Sequence, residues 1–311
     1  MDAILSGLVS ARGRLWLTNA APGAVAFWSL GALALGSTRL AVPQPRHCAV
    51  PAAGILCQLT SNNGLRYVAA ALLALLGIIA GTSLLAMLTA PALAVIAGDW
   101  PSRGILGVLA RDRQSRQRQH RDRLVNRLGR ADAGSTAQLI WYPAGDVAIR
   151  PTRAGNAFAA LEQRVKRRHG LSLPTCWPLI EQTLPRLAQE QLERASRRVA
   201  GRVQNMLWAV ASLAWLPFFP AWLALLALAA GAILAVLLWW AVNGAVEQYC
   251  ALIEALVAAH RRALYTAIGW PLPKSTAQEP ACGLALTGYL NRLSTVGDIT
   301  LEWTDEPATG M

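Results

Sequence analysis

Charge is missing from three long runs of this chain: no residue from Leu15 to Thr38, from Tyr67 to Gly98 or from Met206 to Val242 is acidic or basic. Each run exceeds the roughly 20 apolar residues that cross a bilayer. Pumps, proton-coupled transporters and intramembrane proteases place titratable groups inside their bundles, so those classes are disfavoured. Lysine is nearly absent, Lys166 and Lys274 being the only two, and an arginine preference of this kind fits a high-GC coding bias. Charged residues make up 15% of the 311, against about 25% in an ordinary soluble domain. Mean hydropathy is +0.34. No nucleotide, metal or catalytic motif of high specificity occurs, and no base is paired with a nucleophile. No catalytic, cofactor or metal residue is therefore assigned, and enzymatic activity is not expected.

What charge there is sits in one place. From Pro101 to Gln204 there are 20 Lys and Arg against 8 Asp and Glu, an excess of 12 that equals the net +12 of the whole chain. Basic residues beside membrane spans face the cytoplasm, and Arg103, Arg111, Arg113, Arg197, Arg198 and Arg202 lie close enough to the spans to orient them. Arg12 and Arg14 precede the first run and place the N terminus on the same side. The first run is too long for a signal-peptide core and has no clear small-x-small cleavage site, so it reads as a retained helix. The run from 206 to 242 is too long for one crossing, and Pro217 and Pro220 interrupt it. The favoured reading is a hairpin turning at those prolines; a single kinked helix would put Arg261, Arg262 and Lys274 outside, against the charge rule. The expected fold is thus an all-α membrane protein with four transmembrane helices arranged as two hairpins and a cytoplasmic helical domain inserted between them. Its parts are an N-terminal hairpin over 1–100 (spans about 15–38 and 67–98, extracytoplasmic loop 39–66), an arginine-rich cytoplasmic domain over 101–204, a second hairpin over 205–242, and an amphipathic helix and tail over 243–311. Both termini are cytoplasmic, and the expected location is a bacterial inner membrane.

Cys48 and Cys57 fall in the extracytoplasmic loop, where a disulfide between them or two unpaired thiols both fit; His47 beside them is too few ligands for a metal site. Gly77 and Gly81 form a GxxxG step, and Ala32 and Gly36 have the same spacing, which suits close helix packing within the chain or between subunits. Trp16, Trp28, Trp100, Trp222, Trp239 and Trp240 lie near span ends, where indole rings prefer the headgroup region.

The cytoplasmic segment reads as helical from Pro101 to Leu128, with a linker from Ala131 to Thr136 and a short strand over Leu139–Pro143. Thr152 is an N-cap and Gly170 a C-terminal stop for a helix over 157–169. A further helix from Pro185 carries Leu187, Leu192, Ala195, Val199 and Val203 as its apolar positions. Another runs from Asn243 to Ile268 on Val246, Tyr249, Ile253, Leu256, His260 and Leu264, and Ile299–Trp303 is an edge-strand candidate. Arg150, Thr152, Arg153, Gly155 and Asn156 stand at a helix start, where free amides and arginine suit an anion such as a phosphate headgroup or a nucleotide. The alternative is architectural: a cap, a close-packed glycine, and side chains spent on neighbouring carbonyls. Glu247, Glu254 and His260 share helical spacing that suits either a metal or an ordinary charged face. The arginines from Arg111 to Arg130 suit anionic lipid headgroups; nucleic acid is disfavoured, because no aromatic side chain is interleaved for stacking.

The run Pro151-Thr152-Arg153 with Gly155-Asn156, then Glu162, Arg168, Gly170-Leu171, Trp177-Pro178 and Trp270-Pro271, resembles a group of uncharacterised multi-pass membrane proteins of high-GC bacteria, from about Leu65 onward. The resemblance implies a four-span plan with a cytoplasmic domain and carries no activity. Where that group more often has an aromatic residue, this chain has His169. The functional expectation is a homo-oligomeric, channel-like or pore-like membrane protein with a cytoplasmic sensing domain. The alternative is a membrane anchor or scaffold for a cytoplasmic protein partner. The lipid bilayer and anionic headgroups are partners in either case, and no cofactor is expected.

Overall fold

The computed structural model describes residues 21–40, 64–101, 103–128, 133–145 and 149–291. Every element among them is helical and none is a strand. In chain order they are α1 (Ala21–Leu40), α2 (Gly64–Ile96), α3 (Gly104–Leu128), α4 (Ala133–Leu139), α5 (Arg153–His169), α6 (Leu173–Thr183), α7 (Arg186–Ala211), a 3₁₀ segment (Ser212–Phe218), α8 (Ala221–Ile268) and α9 (Glu279–Leu290). Two of these, Leu75–Ile96 of α2 and Ala221–Ile268 of α8, are long and apolar enough to cross a membrane; Pro22–Ala34 of α1 is apolar but shorter. Cys48, Cys57, Trp16 and Ile299–Trp303 lie outside the described residues.

The described residues form two compact units, one within 94–197 and 243–291, the other within 21–93 and 198–242. In the first, α5 is wrapped on all sides over its first half: Ala154, Gly155, Asn156, Ala157, Phe158, Ala159, Ala160 and Leu161 are all buried. Small side chains allow neighbours to close on every face of a helix, where an amphipathic stripe would serve only one. The largest buried groups of the unit include Trp177, Tyr249, Ile253 and Leu286. Along α7, Leu192 in this unit and Val199 and Val203 in the other are buried as their spacing predicts, but Ala195 is half-buried, Leu187 is exposed and Ala188 is buried in its place. On α8, Val246, Tyr249, Ile253, Leu256 and Leu264 are buried as read from the sequence, His260 is only half-buried, and Cys250, Val257 and Tyr265 are buried beside them.

Four elements depart from the sequence reading. The expected linker Ala131–Thr136 is helical from Ala133, where α4 begins. Leu139–Pro143 is not a strand: α4 ends at Leu139, and Trp141 and Tyr142 turn back onto Gln138 and Leu139 carbonyls (3.2 and 3.0 Å). The Tyr142 hydroxyl donates to Gln117 Oε1 of α3 (2.8 Å), which holds the turn on that helix without a sheet partner. Helices α6 and α9 were not among the expected elements; Pro174 and Pro280 fall in the first turn, where the missing amide is no loss.

In the second unit, α7 and α8 run antiparallel, since the Arg202 guanidinium donates to the Ala241 carbonyl across 39 residues of sequence. The reversal occupies the 3₁₀ segment, which contains Pro217; α8 opens directly after Pro220, whose carbonyl accepts from Ala224 N (3.0 Å). Close approach on α1 falls at Gly23 and Gly31: an added Cβ would lie 2.8 Å from Asn205 Oδ1 at the first and 2.6 Å from the Trp215 ring at the second. Ala32 is exposed, and the packing of Gly36 is outside the described residues. Gly77 and Gly81 face Trp28, with Trp208 also beside Gly81. Trp28 is therefore a packing residue, next to Phe27 (5.2 Å between rings), which also meets Trp208 and Trp215 (5.1 and 5.4 Å). Trp222 and Trp240 are exposed.

Candidate functional site

The segment around Arg150–Asn156 is built on the end of α2. After Ile96 the chain turns through Gly98 at φ +82°, with Gly98 N bonded to Val95 O and Asp99 N to Ala94 O. This leaves the carbonyls of Ile96, the last residue of α2, and of Ala97 just after it seeking donors. Thr152 supplies the first: its hydroxyl donates to Ile96 O (2.6 Å) and accepts from Gly155 N (3.0 Å), capping α5 while closing α2. Arg150 Nη1 supplies the second, to Ala97 O (3.2 Å). Gly155 is required here because a Cβ would sit 2.5 Å from Ala97 O. Asn156, fully buried, holds both main-chain groups of Arg150, accepting from its N–H (2.7 Å) and donating to its carbonyl (3.1 Å). Burial presses the Arg150 guanidinium below the usual arginine pKa, opposed by the charges of Glu162 and Asp99.

All five sequence-selected residues are thus brought together, and the groups that meet the positive end of α5 are carbonyl oxygens from the negative end of α2. Four of the five bind main chain or pack on it. Arg153 instead reaches outward to Glu247 of α8 (2.6 Å). Seven residues along α8, Glu254 takes Arg164 (2.9 Å) and Arg168 (3.3 Å) of α5. Both carboxylates of the Glu247, Glu254, His260 pattern are therefore paired with arginine, and no group of three metal-ligating side chains occurs among the described residues.

A second polar cluster went unread in the sequence. Glu279, in the first turn of α9, is buried and accepts from Arg261 Nε (2.5 Å), with His169 Nδ1 at 2.8 Å. Its position follows from two glycines: Gly170, at φ +69°, ends α5, and Gly283 crosses it so closely that a Cβ would lie 1.9 Å from His169 O. The sequence signal was the pair Glu279-Pro280, an acidic residue and a first-turn proline. Nearby, Cys176 is buried within 3.8 Å of Thr287 Oγ1, and burial pushes its thiol pKa up, away from nucleophilic use.

Helix α3 has an uneven surface. Its first turns expose Ile105, Leu106, Val108 and Leu109, and the arginines follow. Its inner side is fixed by Gln117 and by Gln114, whose amide donates to Ile149 O (2.7 Å). His120 has its pKa lowered by burial and by Arg123, Arg153 and Arg127, so it adds no charge to the basic face at neutral pH. No protein-family model matches the chain, and neither a curated protein nor a solved structure matches it.

Proposed function

We propose that the chain is a four-span inner-membrane protein with both termini in the cytoplasm, and that it assembles into a homo-oligomeric, channel-like complex. The proposed spans are about 15–38 and 67–98, and a hairpin over 205–242. The observation that carries the oligomer is the outer face of α8. The helix is exposed over most of 221–240, Leu225, Leu228 and Leu237 included, and within that surface Trp222, Leu226, Ile233, Val236 and Trp240 fall at steps that repeat a heptad seam, the spacing that lets one helix seat in another. A conduction path formed by such helices would be lined by apolar and small residues and gated by dewetting. The arginines of α3, with their carboxylates outnumbered, would make the cytoplasmic approach attractive to anions.

The scaffold reading is favoured by a different observation: no ionisable residue lies between Leu75 and Ile96 or between Ala221 and Val242, so no polar ring is available within one chain. Particle imaging of the protein in nanodiscs separates the two. A ring of subunits around an axial opening, with ion flux in liposomes, supports the channel. A monomer, or a dimer without an opening, refutes it and leaves the anchor.

A further inference from the structure

In the second unit, α1, the α7–3₁₀ arm and α8 enclose an elongated cavity of about 440 Å³. Its α8 wall is Ala227, Ala230, Gly231, Leu234 and Leu238, one face of the helix and a different face from the Trp222–Trp240 seam. From Ala227 to Leu238 the helix rises about 16 Å, close to the roughly 15 Å depth of one leaflet of bilayer hydrocarbon. An added Cβ at Gly231 would meet nothing within 4 Å, so the space beside it is open.

The cavity changes character at one end. The α7 wall descends through Leu216, Ser212 and Ala209 to Asn205, whose Oδ1 is buried with no hydrogen-bond partner. Continuing by steps of three and four, the same face of α7 presents Arg202 and then Arg198. Arg202 spends one donor on Ala241 O; Arg198 is exposed and has no ion-pair partner among the described residues. The sequence offers no carboxylate there: 12–93 and 198–242 contain seven arginines and no aspartate or glutamate.

We infer that this cavity is a binding site for one anionic phospholipid, with an acyl chain along α8 and the phosphate on Arg198 and Arg202 beside Asn205. An apolar channel of leaflet depth suits a hydrocarbon chain. Guanidinium groups without carboxylates, at the end where α7 turns basic, suit a phosphate headgroup. The inference rests on the membrane reading above.

The test is native mass spectrometry of the full chain released from nanodiscs of equal phosphatidylglycerol and phosphatidylcholine. One phosphatidylglycerol retained per chain is expected. Gly231→Leu, which grows into open space, should lower retention by at least about tenfold, as loss of room for about two methylenes implies. Arg198→Gln should keep a bound lipid and lose the preference for phosphatidylglycerol. Unchanged helical circular dichroism certifies both variants. Retention without headgroup preference, retention unaffected by Gly231→Leu, or displacement by millimolar inorganic phosphate would each overturn the inference. So would dissociation of an oligomer by Gly231→Leu with no lipid in the parent, which would make a second copy the occupant. A chain stripped from membranes by alkaline carbonate overturns the membrane reading as well. A carbonate-resistant chain without bound anionic lipid overturns this inference alone.

Discussion

Between Ala94 and Arg197, and again after Asn243, side chains reach for main-chain carbonyls and opposite charges. Between Arg12 and Leu93 and from Arg198 to Val242, helices meet through glycine and tryptophan. In the first unit Thr152, Arg150 and Asn156 close a helix end, and Glu247, Glu254 and Glu279 each hold an arginine. In the second, Gly23, Gly31, Gly77 and Gly81 admit aromatic rings, and no carboxylate is present to form an ion pair. The contrast follows from the solvent each composition suits. Water competes for polar groups, so a soluble helical core gains specificity by satisfying them inside. Hydrocarbon gives apolar surfaces no reason to prefer each other over lipid, so contact there depends on shape and close approach.

Substitutions can sharpen that contrast. The largest effect is expected at the α5–α9 crossing. Gly283→Ala drives a Cβ to 1.9 Å from His169 O, and main chain cannot move aside as a side chain can; a loss of about 4 kcal/mol or failure to fold is expected, read by denaturant titration of the detergent-solubilised protein. Thr152→Val keeps the shape but removes the α5 cap and the bond to Ile96 O, and should cost about 2 kcal/mol in the same titration. Gly31→Ala, the corresponding insult in the apolar unit, meets a Trp215 ring at 2.6 Å that can rotate; about 1 to 2 kcal/mol is expected, with a change in tryptophan fluorescence. Arg153→Gln breaks a half-exposed ion pair and should shift stability by less than about 1 kcal/mol, less still in high salt. If Gly31→Ala proved as damaging as Gly283→Ala, the distinction between rigid and adaptable packing would fail.

Local chemistry was legible where one residue decides one event. The Thr152 cap, the Gly170 stop, the break at Pro217 and Pro220 and the inner face from Val246 to Leu264 all appear where the sequence put them. What escaped needed a partner distant in sequence. Leu139–Pro143 has β-branched and aromatic residues but no strand beside it, so turn bonds and Gln117 decide its shape. Gly23 and Gly31 matter through Asn205, Trp208 and Trp215, far along the chain, and no local spacing marks them. The candidate anion site was legible as a cluster, and only the nearness of Ile96 and Ala97 tells that its donors already have acceptors.

The crossing of α5 and α9 has a genetic corollary. Every single-base change in a glycine codon that alters the encoded residue introduces a Cβ, because no other amino acid lacks one. At Gly170 and Gly283, where that atom would fall 1.9 Å from a carbonyl oxygen, no missense change is mild. Two codons more than a hundred apart are thus bound to the same nucleotide choice at their first two bases by one crossing of backbones.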